Sequence, residues 1–499
     1  MDAPRGEGAA RPIDSPSARP DRTPGGALRR ASSYGVSMSV DPPAPLATKV
    51  SFDSARPTRD RQSTALLTDR YELTMLQTAL ADGTATRRCV FEVFARRLPP
   101  GRRYGVLAGT GRVLEAIADF HFTDEELSFL SRTKVTDRAT MEYLAKYRFT
   151  GSITGYAEGD CFFPGSPVMV VEGTFAEAVV LETLVLSILN YDSAVASAAS
   201  RMTTAAVNRP CLEMGGRRAH EQAAVAAARA AIIGGFAGTS NLEAGRRWGL
   251  PTIGTAAHSS ILLHDDERSA FAAQVAAHGP GTTLLVDTYD VTTGVATAVE
   301  VAGRKLGAVR LDSGDLTSQA SEVRQQLDSL GARSTRIVVS SDLDEYSIAA
   351  LAVAPVDSYG VGTSVVTGSG APTCGMVYKL VARGGPGGAM VPVEKASTRK
   401  VSVGGRKAAA RRLNGHRATE EVLVTGPDDA VVAWVPRHAT LRPLHVPLVE
   451  DGLIDTTRTG AEGVKSAVER HHASRAELPR GALRLSAGDP AVPTVTIRA

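Results

Sequence analysis

The chain has 499 residues, of which 43% are hydrophobic, and a formal net charge of +3. Its length allows two to four domains of about 150 residues each, and its hydrophobic share is enough for a sizeable core. The small net charge argues against a nucleic-acid-binding protein, and no apolar run is long enough to span a bilayer.

The N-terminal segment predicts a disordered extension, and the cysteines predict the cellular compartment. Residues 1–62 are rich in Pro, Ser, Arg and Gly and show no sustained hydrophobic periodicity. Such a segment cannot bury enough apolar surface to offset its chain entropy, so we predict a disordered extension. The four cysteines form no CxxC pair, and no signal peptide is visible. Both features favour reduced thiols in a cytoplasmic protein.

Residues 63–175 mix helical and strand patterns. Thr68 or Asp69 is expected to cap a helix that runs to about Ala81. Arg88–Arg96 alternates in the way a strand does. Further helical patterns follow, and then short strands broken by Gly and Pro. We therefore predict an α+β N-terminal domain.

Strands and helices alternate in residues 176–374. Two apolar helices are predicted first, over Ala178–Asn190 and over the Ala-rich stretch Ala223–Ile233, which is expected to be buried. The later predicted elements are strands Thr282–Val286, Leu306–Leu311, Arg336–Ser340 and Ser358–Val361, with helices Val291–Val301, Leu316–Leu330 and Asp344–Val353 between them. This spacing predicts parallel strands with crossover helices, and either a barrel or an open sheet would fit.

The stretch Gly234–Ser260 connects the Ala-rich helix to these elements. It is expected to form a short strand, a turn at Gly238–Asn241, the helix Leu242–Trp248 and a second strand over Thr252–Thr255. The second strand would place His258 at its carboxyl end, where parallel α/β folds bind ligands. A lone histidine at that position is more often a hydrogen-bonded structural residue. A functional role for His258 therefore depends on what the rest of the chain supplies.

Residues 375–499 are predicted to be a β-rich segment that packs on 63–175. The expected strands are Met376–Val381, Ala389–Val393, Lys400–Val403, Glu421–Val424 and Ala430–Trp434. The basic stretch Arg399–Arg412 is interpreted as a solvated β-hairpin face or a lid over anionic substrates, rather than a nucleic-acid site. A polar helix over 463–475 and an irregular tail over 480–499 complete the chain.

The predicted strands of the alternating region end in chemically active side chains. They supply His258; Asp287 and Asp290; Arg310, Asp312, Ser313 and Asp315; Ser341, Asp342 and Asp344; and Gly360, Gly362, Thr363 and Gly368. Helix capping is the preferred role for Ser240, Asp315 and Asp344. Carboxylates can hold ribose hydroxyls or Mg²⁺, arginines recognise carboxylate or pyrophosphate, and Gly-rich turns present N–H groups to phosphate. The set predicts a pocket for a sugar phosphate with a metal.

Other histidines lack this context. His264, His278, His471 and His472 stand in no pattern of metal ligands, and we interpret them as surface or capping residues.

The motifs together resemble the nicotinate phosphoribosyltransferase family from Thr64 almost to the C-terminus. They are TDRYELTM (68–75), EMGGRR (213–218), GTSNLEAGRRWGLPTIGTAAHS (238–259), LLVDTYD (284–290), RLDSGDL (310–316), SSDLDE (340–345) and GVGTS (360–364). The resemblance implies an irregular parallel α/β barrel with an α+β domain formed by the N-terminal and C-terminal segments. It also implies ATP-coupled formation of nicotinate mononucleotide and pyrophosphate from nicotinate and 5-phosphoribosyl 1-diphosphate (PRPP). That reaction is of the ligase class and begins the salvage of nicotinate to NAD.

Residue roles follow from the same resemblance. His258 corresponds to the histidine that ATP phosphorylates, and Arg310 and Asp312 to residues at the ribose, nicotinate and pyrophosphate. Asp287 corresponds to a carboxylate at the sugar and at Mg²⁺, where Asp312 is a second metal ligand. Tyr71 resembles an aromatic that stacks on the pyridine ring of the neighbouring subunit in a homodimer. The remaining implied substrate-binding residues are Arg217, Thr255, Asp342, Gly360, Gly362 and Thr363.

Two departures from the family pattern affect the expected pocket. Met214 stands where the related nicotinamide enzyme has an aromatic, and Gly216 replaces the expected Ser of EMGSRR. Met214 leaves one-sided stacking on Tyr71, and Gly216 adds backbone freedom beside Arg217. Neither change removes a charged group.

Three other functions are weighed against this one. The nearest is another type II phosphoribosyltransferase that uses nicotinamide or quinolinate. A (β/α)₈ sugar-phosphate aldolase or isomerase would usually need a catalytic Lys or a Glu/His pair, where this chain has Asp and Arg. A non-catalytic sensor of NAD metabolites is disfavoured by the intact Asp287, Arg310 and His258.

Overall fold

The computed structural model describes residues 62–395, 403–427, 431 and 440–499. The predicted disordered extension therefore lies outside the described residues except for Gln62. The expected strands over 400–403 and 430–434 also lie outside them, apart from one residue each. None of the helices in the described part of the chain combines the length and apolar character needed to cross a membrane.

Helices and strands succeed one another along three parts of the chain. The first part forms α1 (Arg70–Asp82), β1 (Arg88–Ala95), β2 (Gly105–Val106), α2 (Thr110–Ala118), α3 (Asp124–Arg132), α4 (Arg138–Leu144), β3 (Ser152–Tyr156), β4 (Cys161–Phe162) and β5 (Pro167–Thr174). The middle part forms α5 (Phe175–Val179), α6 (Glu182–Ala205), β6 (Cys211–Glu213), α7 (Glu221–Ile233), β7 (Gly238–Thr239), α8 (Leu242–Trp248), α9 (His258–Leu262), α10 (Glu267–His278), β8 (Thr283–Leu285), α11 (Val291–Ala302), β9 (Ala308–Leu311), α12 (Leu316–Ser329), β10 (Arg336–Ser341), α13 (Glu345–Ala350), β11 (Ser358–Val361) and α14 (Thr363–Val366). The last part forms β12 (Met376–Gly384), β13 (Met390–Pro392), β14 (Lys407–Asn414), β15 (Arg417–Thr425), β16 (Leu441–Pro443), β17 (His445–Glu450), β18 (Leu453–Ile454), α15 (Gly460–Glu477) and β19 (Thr494–Arg498).

A seven-stranded sheet combines strands from both ends of the chain. Its order is β13-β12-β1-β5-β3-β17-β18, and β1 pairs antiparallel with both β12 and β5. Strand β1 is buried along nearly its whole length. Its one buried acid, Glu92, accepts a hydrogen bond from Lys407 Nζ of β14 at 2.7 Å. Strands from the predicted segments 63–175 and 375–499 therefore share one sheet. The division of the chain into four domains stays a prediction.

The middle part confirms the α/β class. Six parallel strands form the order β7-β6-β11-β10-β9-β8, curled into a half barrel. The barrel expected from the resemblance is thus open, with β7 and β8 at its two ends. Thr252–Thr255 is not a strand: only Thr252 pairs, in a single bridge to Thr239. The strand over Ser358–Val361 and the helix over Leu242–Trp248 have the predicted bounds.

Two helices, α6 and α7, pack against each other and contribute many residues to the same hydrophobic core. Helix α6 continues to Ala205, fifteen residues beyond the predicted end, because its small residues Ser193–Ala199 are buried against neighbours. Helix α7 is buried nearly all round, as predicted, since its alanines let neighbouring elements approach closely. Helix α10 was not predicted.

Several predicted caps are confirmed and others are wrong. The side chains of Asp315 and Asp344 accept backbone N–H bonds at the starts of α12 and α13. Asn241, rather than Ser240, caps α8. Asp69 occupies the N-cap position of α1, as predicted, but its side chain makes no cap bond, and Thr68 Oγ1 donates to the Glu72 carboxylate.

The C-terminal part differs most from the prediction. The described part of the basic stretch enters a β-hairpin, β14–β15, in which Arg411 is fully buried and Lys407 is 6% exposed, whereas the Arg412 side chain is 39% exposed. The tail is not irregular throughout, since β19 pairs in parallel with β15. His471 is fully buried in α15, whereas His472 beside it is exposed.

Candidate active site

One polar cavity of about 240 Å³ lies at the carboxyl ends of β6, β9, β10 and β11. Its lining consists of Met214, Arg217, Arg218, Arg310, Asp312, Ser340, Ser341, Asp342, Gly360, Gly362 and Thr363. A larger cavity of about 530 Å³ borders β12 and β13 but is lined mainly by Gly, Pro and apolar residues. Three guanidinium groups converge only on the smaller one of these two cavities, so its chemistry suits an anionic ligand.

Arg310 is held rigidly on one wall of this cavity. Its Nε donates to Ser340 Oγ at 2.7 Å and its Nη2 to Asp312 Oδ1 at 2.9 Å. Nη1 reaches Thr255 Oγ1 at 3.3 Å and the Ala256 carbonyl at 3.1 Å. The side chain is only 13% exposed, so the guanidinium is oriented before any ligand arrives.

Two carboxylates are linked through the backbone beside Arg310. Asp287 Oδ2 accepts from the Asp312 backbone N–H at 2.8 Å and from Ser313 Oγ at 2.9 Å. Asp287 Oδ1 is buried and has no hydrogen-bond partner in the described part of the chain. Although burial opposes ionisation, hydrogen bonds from Ser340 and Arg310 hold the pKa of Asp312 below its usual value. Asp312 is therefore ionised at neutral pH.

His258 lies beside these carboxylates, but not at the end of a strand. It is the first residue of α9 and follows a segment without strand pairing. Its Nδ1 lies 3.0 Å from Thr288 Oγ1 and its Nε2 lies 3.8 Å from Asp312 Oδ2. The imidazole is thus next to the cavity residue Asp312. This agrees with the prediction that His258 and the strand-end side chains lie around one pocket.

The turn after β6 brings two further arginines to the cavity. The Met214 backbone N–H donates to the Val361 carbonyl at 2.8 Å, which fixes this turn to the end of β11. A Cβ on Gly360 would lie 2.8 Å from Met214 Sδ and 3.0 Å from Ser340 Cβ, so a larger residue there would force these side chains to shift. Buried Glu213 accepts from the Gly215 N–H and from Thr239 Oγ1, and burial raises its pKa.

The structure brings most of the predicted site residues together. Lining the cavity or bonded to its walls are His258, Arg310, Asp312, Asp287, Arg217, Thr255, Asp342, Gly360, Gly362 and Thr363. Tyr71 is not among them: it lies on α1 and is 45% exposed. Burial, with Glu182 and Glu72 nearby, raises the pKa of Tyr71 to about 12.

Three residues of this neighbourhood were not named from sequence. Ser340 bridges Arg310 and Asp312, Thr288 contacts His258, and Glu213 braces the turn that carries Arg217. All three stand inside the quoted motifs. Their position next to charged motif residues was the only available signal, because serine and threonine are common at strand ends for other reasons.

Comparison with known proteins gives consistent matches. Residues 66–190 match the nicotinate phosphoribosyltransferase (NAPRTase) N-terminal domain. The chain is 56% identical to nicotinate phosphoribosyltransferase pncB1 of Mycobacterium tuberculosis, over 88% of this chain and 97% of that protein. It is 40% identical to the Bacillus subtilis nicotinate phosphoribosyltransferase, over 70% and 74% of the two chains. The crystal structure of human nicotinic acid phosphoribosyltransferase superposes with a TM-score of 0.73 at 27% identity, covering 86% of this chain and 97% of that one.

Proposed function

The chain belongs to the nicotinate phosphoribosyltransferase family, and we propose that the cavity described above is where it joins nicotinate to PRPP. Its activity is nicotinate phosphoribosyl transfer, a step of NAD biosynthesis. The observation that carries the site proposal is the convergence of Arg217, Arg218 and Arg310 with the Gly360–Thr363 loop on one cavity. A sugar bearing a 5′-phosphate and a pyrophosphate needs such an arrangement of cations and backbone N–H groups.

The proposed reaction is a displacement at the anomeric carbon of PRPP. The pyridine nitrogen forms a bond to C1 while the bond from C1 to the pyrophosphate oxygen breaks, and pyrophosphate leaves with the electron pair. The pyridine nitrogen already has a lone pair, so no general base is required. Catalysis then depends on alignment and on charge stabilisation, which Arg310 supplies from a preorganised position beside the leaving group.

The carboxylates suit a Mg²⁺ ion that accompanies PRPP. Asp287 presents a buried oxygen without a hydrogen-bond partner in the described part of the chain, and Asp312 is ionised nearby. One or two carboxylates together with substrate phosphates are a common Mg²⁺ environment. The ion would supply positive charge to the departing pyrophosphate.

His258 has the surroundings expected of a phosphoryl acceptor for ATP. Thr288 Oγ1 orients the ring through Nδ1, and Asp312 faces the opposite nitrogen. ATP is then a co-substrate, hydrolysis of the phosphohistidine drives nucleotide formation, and the reaction belongs to the ligase class.

We further propose a cytoplasmic homodimer in which Tyr71, which lies away from the cavity of its own chain, stacks on the pyridine ring in the neighbouring subunit.

A turnover assay tests the proposal. Purified protein is incubated with PRPP and Mg²⁺, with and without ATP, and with nicotinate, nicotinamide or quinolinate as the pyridine. We expect mononucleotide and pyrophosphate from nicotinate, with ATP increasing the yield. Turnover with nicotinamide or quinolinate in preference to nicotinate would favour another type II phosphoribosyltransferase, which is the second candidate.

A further inference from the structure

A buried ion cluster behind the cavity joins two of the loops that line it. Glu345 is the first residue of α13 and stands three positions after Asp342 of the cavity wall. Ser369 follows α14, the short helix that begins at the cavity residue Thr363. The side chains of Glu345 and Ser369 meet behind the wall.

The Glu345 carboxylate is surrounded by three donors. Its Oε1 accepts from Arg102 Nη1 and from Arg201 Nε, each at 3.0 Å, and its Oε2 accepts from Ser369 Oγ at 2.7 Å. All three charged side chains are more than nine-tenths buried. Burial alone would favour the neutral acid, but Arg102 and the hydrogen bonds hold the pKa of Glu345 below its usual value, so it is ionised.

The loop that carries Ser369 is fixed at a second point by the same arginine. Arg102 Nη2 donates to the Gly368 carbonyl at 2.7 Å. Ser369 itself adopts a φ of 50°, a conformation that side-chain-bearing residues rarely adopt. Its hydroxyl bond to Glu345 and its N–H bond to the Ser364 carbonyl at 2.7 Å both support that conformation.

Such a cluster is not explained by stability alone. Burying paired charges carries a desolvation cost that often cancels their attraction, and a well-packed apolar group can replace them without loss. The hydrogen bonds of this cluster do hold the groups that it joins in one arrangement. In this protein those groups are the Asp342 loop, the loop after Thr363, and Arg102 from the N-terminal part of the chain.

We propose that Arg102, Glu345 and Ser369 are positioning residues that set the distance between the two loops and thereby the affinity for the PRPP phosphate groups. The inference rests on the proposed function, because it requires that these loops hold PRPP. None of the three residues lines the cavity, so each acts only through the backbone that it holds.

The test compares Ser369→Ala, Ser369→Gly and Tyr346→Phe with the wild-type enzyme. Both Ser369 variants lose the hydroxyl bond, and the Gly variant also relieves the unusual φ. The Tyr346 hydroxyl accepts a hydrogen bond from Arg201 Nη2 of the same cluster at 3.4 Å but does not contact the loop that carries Ser369. Tyr346→Phe is therefore the matched control. Steady-state kinetics give kcat and KM for each substrate, calorimetry gives the Kd of PRPP, and thermal unfolding reports folding.

We expect both Ser369 variants to raise KM and Kd for PRPP about tenfold, the effect of one lost hydrogen bond to a charged acceptor. Their KM for nicotinate should stay within about twofold of the wild type, and the Tyr346 variant should match the wild type throughout. Wild-type PRPP affinity in either Ser369 variant, or an equal loss for both substrates, would overturn the positioning role. Absence of turnover in the wild type would instead refute the proposed function, and with it the inference.

Discussion

Replacing Arg310 with alanine tests the site most directly. The change removes bonds to Ser340, Asp312, Thr255 and the Ala256 carbonyl and takes the charge from the cavity wall. Removing one partner of a buried charge pair typically costs about 2–5 kcal/mol. Since the Asp312 side chain is 31% exposed, water can partly replace the lost partner, and the lower part of this range applies. A loss of about 2–3 kcal/mol corresponds to a roughly 30- to 150-fold lower kcat/KM.

The assay measures initial rates with nicotinate and PRPP varied separately in the presence of Mg²⁺ and ATP. Arg246→Ala is the control, because Arg246 is 64% exposed and pairs with Glu243 on the surface of α8. Such a surface pair contributes little, so its loss should leave kcat/KM within about twofold. Arg310→Lys should recover part of the activity, since it keeps the charge but not the planar set of donors. An Arg310→Ala enzyme that folds normally and retains wild-type kcat/KM would refute the assignment of Arg310 to the reacting groups.

Three further predictions concern single side chains. His258→Asn should abolish ATP hydrolysis and its stimulation of turnover while slow ATP-independent transfer persists; undiminished ATP hydrolysis would reject phosphorylation at this residue. Burial, with Arg475 and His472 nearby, lowers the pKa of His471 to about 3, so the unfolded chain takes up a proton first as the pH falls below about 6.5. Between pH 6.5 and pH 5 the free energy of unfolding, measured with urea, should therefore fall by roughly 2 kcal/mol less in His471→Gln than in the wild type, whereas His472→Gln should behave like the wild type. An equal dependence of the free energy of unfolding on pH in the wild type and His471→Gln would contradict this. A Cβ on Gly216 would meet no atom within 4 Å, so Gly216→Ser should change the free energy of unfolding by less than about 0.5 kcal/mol, and a large fall in Tm would show that the space is not open.

The local pattern of the sequence was sufficient for much of the parallel half barrel. Apolar runs of strand length alternate with helical periodicity from β8 to β11, and this periodicity depends only on residues near each other in the chain. The order of these elements then determines which polar residues follow each strand. Because parallel strands share their carboxyl edge, Arg310, Asp312 and Gly360 were expected to converge, and the cavity contains all three.

Local pattern failed where small residues or long-range pairing decide the structure. Helix α6 continues past its predicted end because its serines and alanines are covered by other elements, which no local periodicity reveals. The basic stretch of β14 appeared solvated, but Arg411 is buried beside Glu421 at 3.0 Å and Glu477 at 3.2 Å.

The sequence by itself therefore determined the alternation of strands and helices and the chemical groups at the strand ends, since both depend on neighbouring residues. Only the tertiary structure decided that the sheet stays open, that His258 begins a helix, and that Arg102 meets Glu345 across 243 positions of the chain. These features depend on segments that are far apart in the chain, and the local pattern of one segment does not indicate which other segment it will contact. Burial and charge pairing are decided only when the segments pack together.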